Sequence, residues 1–244
     1  MYRFLLRPKW IGFHLLCIVG IVGMVNLSVW QFQRLADRQE FNESVRERTQ
    51  LEVVDVTAVE NEEPTDLQWR PVGAKGTYLA EEQVLVVNRS QGGRAGSNVI
   101  TPLLLDDGRV VIVNRGFIAL DQSAPEPPEG EVRIVGTARI SESRRTGQSA
   151  EAPGDLSEFL RLDLSRLDDQ IDGDVLDIWI AAEVSDPVDD PLLSPVALPE
   201  LSDGPHLSYA IQWLIFSVAV VIGWVLAVRW SISRRRDPRS SPSA

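Results

Sequence analysis

Residues 209–228 read YAIQWLIFSVAVVIGWVLAV, and a group of arginines follows them: Arg229, Arg234, Arg235, Arg236 and Arg239. These 20 residues carry no charge, and a helix of that length covers the hydrocarbon core of a bilayer, about 30 Å. Because no Lys or Arg lies between Arg166 and Arg229, the positive-inside rule places the C-terminal end of the chain in the cytoplasm. We predict a transmembrane helix over residues 206–228 and a basic cytoplasmic tail over 229–244.

A second uncharged run, WIGFHLLCIVGIVGMVNLSVW, occupies residues 10–30. Its 21 residues are also long enough to span a bilayer. A cleaved signal peptide is the alternative, but the run is longer than a usual signal-peptide core and its end, VNLSVW, offers no small-residue cleavage site. We therefore predict an uncleaved transmembrane helix over residues 10–30. Two spans place residues 1–9 in the cytoplasm as well, and everything between the spans outside it.

The segment between the two apolar runs is strongly acidic. Residues 31–205 hold 16 of the 24 Lys and Arg residues and 34 of the 35 Asp and Glu residues, a net charge of −18. Such a charge argues against nucleic acid and anionic lipid headgroups as partners of this segment. Cys17 is the one cysteine, so an intramolecular disulfide is impossible, and with only His14 and His206 beside it a zinc site is not expected.

The acidic segment begins as a helix and continues as strands. Residues 31–48 contain no Gly or Pro and mix Arg with Asp and Glu, which predicts a polar juxtamembrane helix. Short runs rich in Val and Ile then predict strands at 84–88, 98–105, 109–118, 131–140, 159–164 and 175–182, with a short helix over 164–171. Asp107-Gly108 predicts a tight hairpin turn between two of these strands, because such turns need positive φ.

Three segments rich in Pro, Gly or Ser are predicted to be loops: residues 121–130, 141–154 and 185–204. The glycine-rich stretch 92–96 is also more typical of a loop than of a phosphate cradle, because no helix pattern follows it. We predict an α+β membrane protein in which two transmembrane helices flank an extracytoplasmic, antiparallel β-rich domain, residues 49–184, formed as a sheet or a partly closed barrel. A Pro-rich strap, residues 185–205, returns the chain to the membrane.

His206 is the leading candidate for chemistry because it stands where the second span begins. On a helix it shares a face with Tyr209 or Ala210, Trp213 and Ser217. An imidazole beside aromatic surface suits an axial ligand to a flat, apolar macrocycle. The alternative is a belt of interfacial aromatic residues that sets the depth of the helix.

Two further groups of residues invite a functional interpretation. Trp30, Gln31 and Arg34 mark the outer end of the first span, Tyr209 and Trp213 mark the same level of the second, and Gln212 is assigned to the same cluster. They are either a membrane-interface belt or a polar cluster that joins the spans to each other or to a partner. Asn88-Arg89 and Asn114-Arg115-Gly116 place two arginines in the domain, suited to recognising carboxylates or, alternatively, to pairing with the domain's own Asp and Glu.

No arrangement of Ser, His and Asp, of Cys and His, or of paired carboxylates stands out in the sequence. We therefore do not expect an enzyme.

Taken together, six motifs make the chain resemble the Surfeit locus protein 1 family of cytochrome c oxidase assembly factors over nearly its whole length. In order they are Trp30-Gln31-x-x-Arg34-Leu35; Arg70-Pro71-Val72 with Gly76-x-Tyr78; Val86-Val87-Asn88-Arg89; Gly96-x-x-Val99-Ile100-Thr101-Pro102-Leu103; Val113-Asn114-Arg115-Gly116-Phe117; and His206-Leu207-x-Tyr209-Ala210-x-Gln212-Trp213. The chain departs from the family at Gly204-Pro205, where asparagine is usual.

The resemblance implies a non-enzymatic factor that helps to insert or stabilise haem a in subunit I of the oxidase. In bacterial relatives a histidine of the last motif is implicated in haem a binding, and His206 matches its position. The expected location is the plasma membrane of a bacterium, with subunit I, other assembly or supercomplex partners and membrane lipid as contacts.

Two other classes of function compete with this expectation. A structural accessory subunit of the respiratory complex would not bind haem and would use its aromatic face to pack against partner helices. An extracytoplasmic solute-binding or sensor module would hold a ligand in its loops, but the short cytoplasmic ends leave no room for a signalling domain.

Overall fold

A computed structural model describes residues 3–59, 62–144, 146–147, 149–150 and 154–234. Packing divides the chain into two units: residues up to Glu43 together with those from Leu201 onward, and Ser44–Glu200. Most of the predicted basic tail, residues 235–244, lies outside the described residues.

The first unit is formed by most of helix α1, Pro8–Thr49, and by helix α4, His206–Arg234. Both are long and apolar enough to cross a membrane. α1 is one continuous helix of 42 residues, about 63 Å at 1.5 Å per residue. It thus contains both the apolar run 10–30 and the polar helix predicted over 31–48. The helix α4 continues through Arg229 and Arg234, because nothing in Trp230-Ser231-Ile232-Ser233 interrupts a helix.

In the described part of the chain, the second unit is built on eight strands. They are β1, Val54–Asp55; β2, Pro71–Tyr78; β3, Val84–Gln91; β4, Arg94–Leu105; β5, Arg109–Ala119; β6, Glu131–Ile140; β7, Glu158–Phe159; and β8, Asp174–Asp186. Two short helices, α2 at Pro64–Leu67 and α3 at Leu164–Asp168, accompany them. The hairpin predicted at Asp107-Gly108 is confirmed between β4 and β5, with Gly108 at φ +91°.

Five strands close into a small barrel. β2 pairs with β6, β6 with β8, β8 with β5, β5 with β4, and β4 returns to β2 through Gly76 opposite Leu105. β1 pairs with β2, while β3 and β7 extend the sheet beyond β4. The prediction of an antiparallel β-rich domain is confirmed only in part, because β5–β8, β1–β2 and β3–β7 are parallel. The domain is a mixed β-sheet.

Both faces of β5 are buried, which explains its nearly continuous apolar sequence. Val111 and Val113 lie in one hydrophobic core, with Leu103 and Ile180. The alternate residues Val110 and Ile112 lie in a second core that includes Phe159, Leu162 and Trp179.

Several local predictions need correction. Residues 159–164 were predicted to form a strand, but only Glu158–Phe159 pair with β3, and α3 begins at Leu164. The Gly-rich stretch is a turn only at Gly92-Gly93, since β4 begins at Arg94. β8 continues to Asp186, into the predicted strap, because Ser185 and Asp186 pair with β6.

Candidate functional site at the helix pair

Small residues let α1 and α4 approach closely. Ser28 and Ala210 are almost completely buried, and the Ser28 hydroxyl donates a hydrogen bond to the Ala210 carbonyl oxygen at 2.9 Å. A backbone carbonyl can be reached this way only when the facing residue has almost no side chain. The level of Ala210 on α4 is therefore fixed relative to Ser28 on α1.

One turn after Ser28 on α1 and one turn before Ala210 on α4, Gln31 contacts His206. The distance from His206 Nδ1 to Gln31 Oε1 is 2.9 Å. A carbonyl oxygen only accepts hydrogen bonds, so Nδ1–H is the donor in this contact, and a neutral imidazole then has its lone pair on Nε2. An imidazole oriented through one nitrogen, with the other nitrogen available, is the usual arrangement of a histidine that ligates a metal.

Gly204 leaves the Nε2 edge of the His206 ring uncovered. Its φ is +64°, a conformation that glycine adopts without strain. A Cβ at this position would lie 3.5 Å from Cδ2 and 3.6 Å from Nε2 of His206. Glycine at this position therefore places no side chain against the edge of the imidazole that would face a ligand.

The loop before α4 is tied to α1 by three side chains. Asp203 accepts hydrogen bonds from the side-chain amides of Gln39 and Asn42, each at 3.1 Å, and Arg38 donates to the Ser202 carbonyl at 2.9 Å. We name Arg38, Gln39, Asn42, Ser202 and Asp203 the loop clamp. Because the clamp holds the residues just before His206, it positions the first turn of α4.

The residues predicted to share one face of α4 do not all lie on the same side of the helix in the structure. His206 and Trp213 are half-buried, and Ala210 and Ser217 are buried. Tyr209 is 47% exposed and therefore lies on a different side of the helix from Ala210. An apolar ring held at His206 would meet Trp213 along its own stripe and Tyr209 beside it.

The other residues predicted at this level are not brought together. Arg34 pairs with Asp37 at 3.3 Å, and its guanidinium lies 5.7 Å from the Trp30 ring centre, so both contacts stay on α1. Gln212 is exposed on α4. Of the predicted cluster, only Gln31 connects the two helices through its side chain among the described residues.

His14 belongs to a separate contact. The Trp224 indole N–H donates to His14 Nδ1 at 2.7 Å. His14 precedes Gln31 by 17 residues on α1, about 25 Å along a helix. The two histidines therefore cannot share one ligand atom. Within the described ranges, no group of three or more His, Cys, Asp or Glu side chains is placed to hold a metal ion.

Arg115 in the barrel is fully buried and fully engaged. Its Nε and Nη2 donate to the two carboxylate oxygens of Asp189 at 2.8 and 2.5 Å. The remaining N–H groups reach Gln83 Oε1 and the carbonyls of Pro125 and Glu126. With every donor used, Arg115 holds the strap against the barrel and offers nothing to an external carboxylate.

The neighbouring motif residues are also structural. Asn114 is buried and accepts from the Gly116 N–H, and Gly116 passes so close to Ser194 that a Cβ would lie 2.8 Å from its carbonyl oxygen. Asn88 has φ +59° beside an irregularity in the β3–β4 pairing, and Arg89 pairs with Glu142 at 2.6 Å.

Sequence reasoning missed the loop clamp and the Ser28–Ala210 contact. Gln39 and Asn42 stand in a polar helix and Asp203 in a polar loop, where such residues are usually solvated. The one available signal was Asn42 itself, whose type is disfavoured in helix interiors.

Comparison with known proteins gives a consistent answer. The model of the SURF1 family matches residues 18–218. An uncharacterised SURF1-like protein of Mycobacterium tuberculosis is 28% identical over 98% of this chain and 91% of its own length. A SURF1-like protein of Rickettsia felis is 22% identical over 90% and 98%, and Surfeit locus protein 1 of Takifugu rubripes is 27% identical over 49% and 58%. Since the family model covers the whole barrel, most of α1 and the first part of α4, the chain belongs to the SURF1 family, which is linked to cytochrome c oxidase assembly.

Proposed function

We propose that this SURF1-family protein is a membrane-anchored, non-enzymatic assembly factor for a haem a-containing cytochrome c oxidase, and that it holds haem a transiently at His206 during insertion into or stabilisation of subunit I. The observation that supports this most directly is the geometry at His206. Gln31 holds Nδ1 at 2.9 Å and Gly204 leaves Nε2 uncovered.

The residues present suit such a group. His206 Nε2 would ligate the iron, which is the chemistry that bound haem supplies. Tyr209 and Trp213 would contact the apolar ring, and the exposed apolar side chains of α4 continue that surface. The chain's own part is to keep Nδ1 protonated through Gln31 and to fix the first turn of α4 through the loop clamp.

A membrane location is part of the proposal. Helices α1 and α4 have the length and hydropathy of membrane spans, and the arginines after residue 228 favour a cytoplasmic C-terminal end. We propose the plasma membrane of a bacterium, with both termini cytoplasmic and the barrel outside. Subunit I of the oxidase and membrane lipid are then the proposed contacts of the exposed apolar helix surfaces.

A structural accessory subunit is the second candidate. The observation in its favour is that apolar side chains such as Leu214, Ile215 and Phe216 are exposed on α4, where a partner helix could cover them. In that role His206 would only join the two helices through Gln31.

A complementation experiment separates these two roles. The chromosomal copy is replaced by the wild-type protein, by His206→Ala or by the matched control His14→Ala, and haem a is measured per oxidase complex purified from each strain. We expect severalfold less haem a with His206→Ala and wild-type content with His14→Ala, at equal membrane levels of the three proteins. Full haem a content with His206→Ala would contradict the haem role and favour the accessory subunit.

A further inference from the structure

A cavity of about 470 Å³ opens on the barrel unit beside the end of β6. Its lining includes Arg89, Arg139 and Arg161, and also Glu142, Gln68 and Trp179. Three guanidinium groups against one carboxylate give this cavity a net positive charge, although residues 31–205 as a whole carry −18. The cavity is therefore a local exception to the acidity of the domain.

The Glu142 carboxylate already accepts hydrogen bonds from its neighbours. One of its oxygens accepts from Arg89 Nη2 at 2.6 Å and from the Leu162 backbone N–H at 3.1 Å. Arg161 donates to the Ser149 carbonyl at 2.9 Å. The single carboxylate in the lining therefore mainly binds Arg89 and the Leu162 backbone N–H.

Arg139 forms no ion pair with a carboxylate among the described residues. Its guanidinium carbon lies 3.7 Å from the Trp69 ring centre and 5.4 Å from that of Trp179. Among the described residues, its side chain has no hydrogen bond and no ion pair. Burial lowers the pKa of Arg139 to about 10, only partly offset by the charge of Glu142. A guanidinium that lies over an indole and has no protein acceptor can donate a bidentate pair of hydrogen bonds to an anion.

A second unused donor lies in the same cavity lining. Arg89 Nε is buried and has no hydrogen-bond partner among the described residues. Buried guanidinium N–H groups are normally satisfied. The cavity thus contains two arginines with unmet hydrogen-bonding capacity and a volume in the range of small-molecule sites.

We propose that this cavity is a binding site for a small oxyanion, a carboxylate or a phosphate group, in which Arg139 supplies the fork of donors and Arg89 and Arg161 supply additional positive charge. The stacked indole of Trp69 keeps the Arg139 guanidinium plane in one orientation, so the site is prepared before the ligand arrives. The site lies in the barrel unit and is separate from the function proposed for His206.

Direct binding tests the proposal on the full chain in detergent. Citrate and inorganic phosphate are titrated in separate calorimetric experiments at constant ionic strength, set with sodium chloride. We expect saturable binding of at least one probe to the wild-type protein, weakened about tenfold or more in Arg139→Gln, because a charged hydrogen bond is lost. Citrate binding alone identifies a carboxylate site, and phosphate binding alone identifies a phosphate site.

Two control variants show whether a loss of binding is specific to Arg139. Arg133→Gln removes an exposed arginine from the same strand, β6, and we expect it to bind like wild type. His206→Ala should also leave binding unchanged. Failure of both probes to bind the wild-type protein overturns the proposal without any variant, and equal binding by Arg139→Gln overturns the role of Arg139.

Discussion

Replacing Arg115 with Met will lower the free energy of unfolding of the barrel by about 3–5 kcal/mol, the usual consequence of breaking a buried ion pair from one side. The Arg115 side chain has no solvent exposure and that of Asp189 only 16%. The variant would remove both guanidinium donors from the Asp189 carboxylate and one donor each from the Gln83 amide oxygen and the carbonyls of Pro125 and Glu126. Chemical unfolding followed by tryptophan fluorescence measures the change.

A double variant separates the charge effect from packing. Arg115→Met combined with Asp189→Leu removes both charges, and we expect it to recover part of the lost stability, because well-packed apolar pairs often replace buried ion pairs without loss. Arg94→Met, an exposed arginine on β4, is the control and should unfold like wild type. An Arg115→Met protein as stable as this control would show that the pair does not hold the strap.

Replacing Gln31 with Leu will weaken haem a binding by about 10- to 100-fold, the range seen when a residue that orients a metal-ligating histidine is removed. Without the Gln31 carbonyl, the hydrogen bond that orients the His206 ring through Nδ1 is lost. Haem a titration of the purified protein, followed by absorbance, gives the dissociation constant.

A conservative variant of Gln31 tests the same hydrogen bond by keeping its acceptor oxygen. Gln31→Glu keeps an oxygen acceptor for Nδ1–H, and we expect it to retain most of the affinity. Gln33→Leu alters an exposed glutamine on the same helix and serves as control. Equal affinity of Gln31→Leu and Gln33→Leu would mean that the Gln31–His206 hydrogen bond does not serve haem binding.

The elements that sequence predicted well are those decided by local patterns. Uncharged runs of 20 and 21 residues could only be long apolar helices, and Asp107-Gly108 set the β4–β5 hairpin. The strand β2 was harder because Gly73, Lys75 and Gly76 interrupt its apolar alternation. Its pairing with both β6 and β4 depends on close backbone approach at Gly76, which only the assembled barrel reveals.

Long-range pairings account for most of what sequence could not predict. The parallel match of β5 with β8 depends on the path of the chain between them, and no local pattern encodes it. In the same way, Asn42 and Asp203 are 161 positions apart, and each alone looks like a solvated polar residue. Gln31 and His206 were both identified as candidates, but their hydrogen bond, which determines the free nitrogen, required the structure.

A visible absorption spectrum tests whether His206 holds haem a. It is recorded on the protein purified in detergent from cells that make haem a. Wild type, His206→Ala and His14→Ala are compared at equal protein concentration. We expect a haem a band in wild type and in His14→Ala that is lost in His206→Ala. A colourless wild-type protein, or a band of equal intensity in His206→Ala, would contradict it.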